Sequence, residues 1–424
     1  MGFNMGSTIV EKVLARASGN GSVKPGDIVV VSVDLAAAND ITAPLALRQM
    51  QSVGVESVFD PKRVAIVAGR HSPFRDSESA ERVGWLARFG KRHGIDRVFT
   101  DGEGMDHVLL PESGEIRPGM LVLNGDSHAA TIGGLGAVGI PMGSTDMSYV
   151  FAFGETWLPV PETIHVRLNG APQVGVVSKD MILALAAKLG AAGASDAALE
   201  FSGEAVETMS LEERFTLPNM SIELGATTGV VGTDEKTRAY LRDRGVTNYD
   251  EVTADKDARY LSTIEIDVTT LEPQVACPDS PANVSDVAVV EGQKLTQINI
   301  GTCTNGRLTD LKQAAEILRG RKVHKDIRLH VTPATKKVYG DAMRHGILEV
   351  FHEAGATINS PGCGICAGWH MGALGKDDVC FATHNRNFKG RMGHPESRIY
   401  LGSPYMAAAS AITGKITDPR EFLL

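Results

Sequence analysis

Short apolar runs separated by helical stretches fill the first third of the chain. Ile28-Val29-Val30-Val31, Val64-Ala65-Ile66-Val67 and Met120-Leu121-Val122-Leu123-Asn124 are unbroken and bounded by Gly, Pro or Asp, the pattern of strands buried on both faces. Between them, Ser79 to His93 carries Val83, Leu86, Ala87 and Phe89 at helical spacing. Strands alternating with helices predict an α/β layer. The middle third holds an Ala-rich helical run, Met181 to Ala192, and then the Glu-rich Ser210 to Arg214. From about Asn248 to Ser280 the chain is polar and Pro-containing, which sets a domain boundary near the end of that stretch. The last third opens with Gln297-Ile298-Asn299-Ile300, a short strand running into a turn at Cys303. Beyond it Leu308, Leu311, Ala315 and Leu318 share one helical face, with Thr309 placed to cap the start and Gly320 the end.

A chain of 424 residues exceeds what one hydrophobic core supports. The pattern divides it into three domains, at 1–162, 163–285 and 286–424. Hydrophobic and charged contents of 43% and 22% suit a soluble globular protein. The net charge of −9 argues against nucleic acid as a partner, which would need a basic face. No apolar run approaches the roughly 20 residues of a membrane span. Met1-Gly2-Phe3-Asn4-Met5-Gly6 lacks the basic and apolar regions of an export signal. Five cysteines without such a signal fit a reducing cytoplasm, which is the expected location.

Three of those cysteines carry chemistry: Cys303 in Gly301-Thr302-Cys303-Thr304-Asn305-Gly306-Arg307, and the pair in Gly362-Cys363-Gly364-Ile365-Cys366. A structural zinc normally takes four ligands and a disulfide needs an even number. Thiolates also hold iron–sulfur clusters. Three thiolates on a four-iron cubane leave one iron open, and an open Lewis-acidic metal implies chemistry. The alternative is a zinc completed by a histidine such as His370, four residues after Cys366. At a strand-to-helix turn, the helix start would favour a Cys303 thiolate. Cys277 and Cys380 lie outside any ligand spacing and are expected to be small buried side chains.

Further motifs surround the cysteines. Gly125-Asp126-Ser127-His128 follows the strand ending at Asn124, and Thr131-Ile132-Gly133-Gly134-Leu135-Gly136 comes next. Asn385-Arg386-Asn387-Phe388-Lys389-Gly390-Arg391 lies some twenty residues beyond Cys366. With the cysteine segments, these resemble the aconitase superfamily from Val33-Asp34 to Ser403-Pro404. Within it, length and wording are similar to the large subunits of the isopropylmalate dehydratases. The resemblance implies three α/β domains packed around a [4Fe-4S] cluster on Cys303, Cys363 and Cys366. The fourth iron would bind the substrate hydroxyl and a carboxylate. Arg386 and Arg391 match arginines that hold substrate carboxylates, a task suited to a planar, permanently charged fork. Asn385 matches a residue beside the cluster, able to donate to its sulfurs.

The family also places three histidines with acidic partners around the leaving water. His107 matches one, with Asp126 as expected partner, and His128 another, with Glu223. A carboxylate behind an imidazole fixes its tautomer and raises its pKa, as a proton donor requires. Ser127 matches a hydrogen-bonding contact to substrate. His71 matches the third histidine, but Arg70 stands where the family has aspartate. That cation would depress the imidazole pKa, or bind a further anionic group. Asn39 stands where relatives carry glutamine or histidine, in the substrate-facing half of the site.

The chain ends at Glu421-Phe422-Leu423-Leu424, just past the cluster domain. The swivelling fourth domain that carries the family's base, a serine, is therefore expected from a separate small subunit. The function implied is that of the large subunit of a hydro-lyase acting reversibly on a hydroxy-dicarboxylic acid. 3-Isopropylmalate comes first, with homoaconitate, citramalate, dimethylmalate and maleate as alternatives. Two other classes stand against this reading. An RNA-binding regulator of the aconitase type is disfavoured by the acidic balance and the lack of a fourth domain. An electron-transfer protein would need a fourth cysteine near the other three.

Overall fold

Three largely parallel sheets and one two-stranded ribbon carry the chain in a computed structural model that describes residues 6–423. The first five residues, read above as lacking an export signal, lie outside the described residues. The first sheet runs Arg97–Phe99, Val64–Val67, Leu35–Asn39, Leu121–Asn124, Val138–Pro141, all parallel. Its side chains alternate between two cores. Ala36, Ala38, Val64 and Ile66 face one, and Leu35, Ala37, Ala65 and Val67 the other. Burial on both faces is why these strands read as continuous apolar runs.

The second sheet runs Thr228–Val231, Ala197–Ser202, Glu162–Asn169, Ser262–Asp267, again parallel. The third has five parallel strands, Arg398–Leu401, Val379–Ala382, Gln297–Gly301, Arg328–Thr332 and Thr357–Ile358. Gln274–Ala276 and Val284–Asp286 extend it antiparallel at one edge. The chain therefore changes sheets between Asp267 and Gln274, earlier than the 285/286 boundary expected from composition. The polar stretch runs into residues 277–283, the loop that joins these two edge strands as a hairpin.

Two local expectations differ from the structure. Ile28–Ser32 is not a buried parallel strand. It pairs antiparallel with Glu155–Pro159 as a ribbon, leaving Ile28 and Val30 71% and 61% exposed. A four-residue apolar run does not distinguish a central strand from a ribbon. Thr309 is not the cap of the helix Leu308–Leu318. The Asp310 carboxylate accepts from the Arg307 amide at 2.9 Å, while the Thr309 hydroxyl donates to Glu212. Helices expected at Ser79–His93 and Met181–Ala192 occur at Ser77–His93 and Ser178–Leu189. Asp76 caps the former by accepting from Ser79 N at 2.8 Å. No helix among the described residues is long and apolar enough to cross a membrane.

Candidate active site

The strand order dictates where the chemistry collects. In the first sheet the chain direction across the sheet reverses between Leu35–Asn39 and Leu121–Asn124, and in the third between Gln297–Gly301 and Val379–Ala382. Such switch points open a crevice at the carboxyl ends of parallel strands. Asn39 and Asp126 end the first pair, and the Asn39 amide donates to the Gly125 carbonyl and Asp126 carboxylate, each at 3.3 Å. Cys303 and Asn385 follow the second pair, and the Asn385 amide donates to Cys303 Sγ at 3.6 Å. A cavity of about 330 Å³ lies between, lined by Asn39 and Asp126 from the first pair and by Cys303 from the second.

Cys303 sits on a single helical turn, Thr302–Asn305, after its strand. Cys363 and Cys366 come from a loop bound to the first domain. The Cys363 amide donates to the Arg70 carbonyl at 2.8 Å, and a side chain at Gly362 would place its Cβ 2.3 Å from that oxygen. Only glycine allows this approach, and its φ of +145° is also one that other residues avoid. All three sulfurs line the one cavity. Zinc at about 2.3 Å from each of its sulfurs would hold them less than about 4 Å apart. Among the described residues, the three-ligand group closed within 4.8 Å is Asp106, His107 and Asp126, not the cysteines. The three cysteines thus line one cavity without being gathered within 4.8 Å of one another as the ligands of one ion would be. His370, the fourth ligand of the zinc alternative, is not among the residues that line the cavity. The acidic group around His107 already holds a cation, because Arg70 contacts Asp126 and lies 3.9 Å from Asp106.

The thiols are not alike. Burial pushes Cys363 and Cys366 up, partly offset by Arg70 and Arg391 respectively. Burial would also raise Cys303, but His107 overrides it and brings the thiol down to about 5. The neighbour that does this is an imidazole, where the sequence had suggested the helix start. Two amides point at the same sulfur, from Asn385 and from Asn219, each at 3.6 Å. Asn219 was not singled out from sequence. It lies on the helix Thr216–Ser221, and nothing in its spacing links it to a cysteine 84 residues away.

Every histidine of the expected trio has a carboxylate, though not always the expected one. His128 Nε2 is 2.9 Å from Glu223, and its Nδ1 is 3.3 Å from Ser127 Oγ. His107 Nδ1 is 2.9 Å from Asp106 and 3.6 Å from Asp126, so the adjacent residue displaces the expected partner. Its pKa is well above the ordinary imidazole value. Burial opposes the charge, but Cys303, Asp106 and Asp126 outweigh it. His107 stands behind Cys303, off the cavity wall. His71 is not left with a cation as its neighbour. Its Nδ1 meets Asp40 at 3.2 Å, supplied by the turn after Asn39. Arg70 points instead at Asp126, with Asp40 at 3.5 Å, and so binds carboxylates of the protein itself. Burial works against the charge on Asp126, yet Arg70 and the two histidines hold its carboxyl far below the usual range.

Arg386 spans the other flank. Its Nε donates to Glu223 at 2.8 Å and a terminal nitrogen to Ser127 at 3.2 Å. Arg391 reaches Cys366 Sγ at 3.7 Å. Both line the cavity, as do Ile41, Met105 and Trp369, which sequence reasoning had passed over. Met105 Sδ lies 3.3 Å from Cys363 Sγ, and the Trp369 ring centroid 5.0 Å from that of His71. The arrangement offers thiol ligands, anion-binding forks and carboxylate-backed imidazoles around one small cavity, the equipment of a metal-assisted acid–base enzyme for small acids.

Comparison with known proteins agrees. The model of the aconitase family (aconitate hydratase) matches residues 11–293 and 285–414. The 3-isopropylmalate dehydratase large subunit 1 of Methanopyrus kandleri is 48% identical over 99% of this chain and 100% of its own length. The large subunit of the same name from Moorella thermoacetica is 47% identical, covering 98% of this chain and 99% of that protein. Among solved structures, the crystal structure of Thermococcus kodakaraensis aconitase X (holo-form) shares the fold, with a TM-score of 0.52 at 14% identity, covering 89% of this chain and 90% of that one. The chain belongs to the aconitase family. It is a hydro-lyase of that family.

Proposed function

We propose that this chain is the cluster-bearing large subunit of an enzyme that reversibly dehydrates 3-isopropylmalate. The observation that carries the reading is the single cavity in which Cys303, Cys363 and Cys366 stand with His71, His128, Arg386 and Arg391. The names of the relatives support the substrate and, through the words "large subunit", a small-subunit partner.

A [4Fe-4S] cluster held by the three thiolates supplies, when bound, a Lewis acid that polarises the substrate hydroxyl. The chain's own residues bind and orient the diacid and serve the leaving group. Arg386 and Arg391 hold carboxylates and fix the diacid in one orientation. His128, oriented by Glu223, gives a proton to the departing hydroxyl, and Glu223 stabilises the imidazolium before transfer. His71, backed by Asp40, shares that flank of the leaving group. His107 keeps Cys303 a thiolate, while Asn219 and Asn385 donate to its sulfur. Asn39 steadies Asp126, and Ser127 presents its hydroxyl to the substrate between His128 and Arg386. The proton on the adjacent carbon goes to a base on the small subunit.

The test is anaerobic purification of the chain with its co-encoded small subunit, followed by turnover assays on a panel of hydroxy-diacids. About four irons and four labile sulfides per chain are expected, with 3-isopropylmalate the best substrate. Stoichiometric zinc without sulfide, or an iron-loaded complex that dehydrates none of the panel, overturns the reading.

A further inference from the structure

Three guanidinium groups line the cavity, and they are not equivalent. Arg70 is committed to the protein: it contacts Asp126 and has Asp40 at 3.5 Å and Asp106 at 3.9 Å, so its charge is balanced before any ligand arrives. Arg386 gives its Nε to Glu223 and one terminal nitrogen to Ser127, which leaves the other terminal nitrogen without a protein partner. Arg391 touches only Cys366 Sγ, and its buried Nε has no partner. Two forks therefore remain for two carboxylates. A further carboxylate would find no third uncommitted guanidinium among the cavity's lining residues.

The flank beside His71 has a different character. Trp369 stands there, and Ile41 and Ala367 are further apolar residues of the cavity lining. The indole is 46% exposed yet held on two sides, by the His71 ring with centroids 5.0 Å apart and by the Arg75 guanidinium 5.3 Å from the ring centre. The Ile41 amide donates to Asn39 Oδ1 at 2.9 Å, which fixes the rim on which the isoleucine stands. An indole, a branched alkyl and a methyl group offer nothing to replace the hydration of a carboxylate, and they gain from covering alkyl surface.

We propose that Trp369, with Ile41 and Ala367, forms the specificity wall that receives the non-carboxylate substituent of the substrate, so that the enzyme takes malates bearing a branched alkyl group and rejects tricarboxylic hydroxy acids. This rests on the hydro-lyase reading above and deepens it by naming the substrate class and the residues that choose it.

The experiment uses the iron-loaded complex with its small subunit. It compares kcat/KM for malates substituted with a methyl and with an isopropyl group, and for a tricarboxylic hydroxy acid of similar length. The isopropyl compound should lead the tricarboxylate by about a hundredfold or more, since a site without a partner for a charged group rejects it strongly. Trp369→Ala should lower the isopropyl-to-methyl ratio about tenfold, the scale of one or two methylenes in an apolar site, mostly through KM. Trp369→Phe should restore most of that ratio, and Ile41→Ala should lower it in the same direction. Iron and sulfide content, measured on each variant, separates loss of the wall from loss of the cluster. A tricarboxylate preferred by the wild-type complex, or a substituent ratio unmoved by Trp369→Ala in cluster-replete enzyme, overturns the wall while the hydro-lyase reading stands. Failure of the complex to dehydrate any of the compounds overturns both.

Discussion

Burial alone would keep Cys303, Cys363 and Cys366 protonated, and the structure relieves this unequally: His107 brings Cys303 to about 5, while Cys363 and Cys366 stay raised. Metal binding deprotonates a thiol outright, so on the proposed reading one thiolate stands ready and the other two would be claimed by the cluster. Cys303→Ser, Cys363→Ser and Cys366→Ser should each lose iron and labile sulfide in the anaerobically purified protein. Cys277→Ser should keep both, since that side chain makes only weak contacts at Ser285 and Val275 in the third sheet. Wild-type iron in any of the first three would show that the ligand set is wrong. His384 offers a second test at this scale. Burial, with Lys179 and Arg391 nearby, holds its imidazole at about 3. The unfolded chain binds that proton near pH 6.5 and the folded one only near 3, so its neutral form adds stability at pH 7 that drains away as pH falls between those values. Urea unfolding of wild type and His384→Leu from pH 7 to 5 should show the wild type losing stability faster on acidification. Parallel curves would remove His384 as the cause.

The Ser178–Leu189 helix carries a cation in its first turn, where the helix dipole disfavours one. Lys179 is fully buried, and burial brings its ammonium down to about 7. Its Nζ nevertheless donates to the carbonyls of Thr383, at 3.0 Å, and of His384. Those two residues close the strand Val379–Ala382 and lead directly to Asn385 and Arg386. The Thr383 hydroxyl in turn donates to the Gly301 carbonyl at 2.7 Å, two residues before Cys303. One helix start thus ties together the two strand ends that lead to Cys303 and to Asn385 and Arg386. Lys179→Met leaves two buried carbonyls unpaired, a cost of about 1–3 kcal/mol each. It should lower the thermal midpoint, raise KM for the diacid and quicken iron loss, with Lys179→Arg milder in each. Unchanged KM and iron retention in a destabilised Lys179→Met protein would make the lysine a purely structural tie.

At the level of the whole molecule, the first and third sheets present their switch points to one cavity. On the function proposed above, a small subunit completes this site. The chain alone should turn over the diacid several orders of magnitude more slowly than the complex, because base catalysis and positioning fail together. Adding the small subunit should restore the rate and slow oxidative iron loss. Full turnover by the chain alone would call for a base within it, with Ser127 the first suspect. The sequence by itself determined the α/β class, the cysteine ligands to test, the GDSH and NRNFKGR segments and the family, because each is written in consecutive residues or in a short spacing. Only tertiary structure decided the partners of the imidazoles, the fate of Arg70, the amide of Asn219 on Cys303 and the indole beside His71. Asp40 meets His71 across 31 positions, Arg70 meets Asp126 across 56 and Asn219 meets Cys303 across 84. No local period records such pairs, since they exist only once parallel strands bring their carboxyl ends to a common edge.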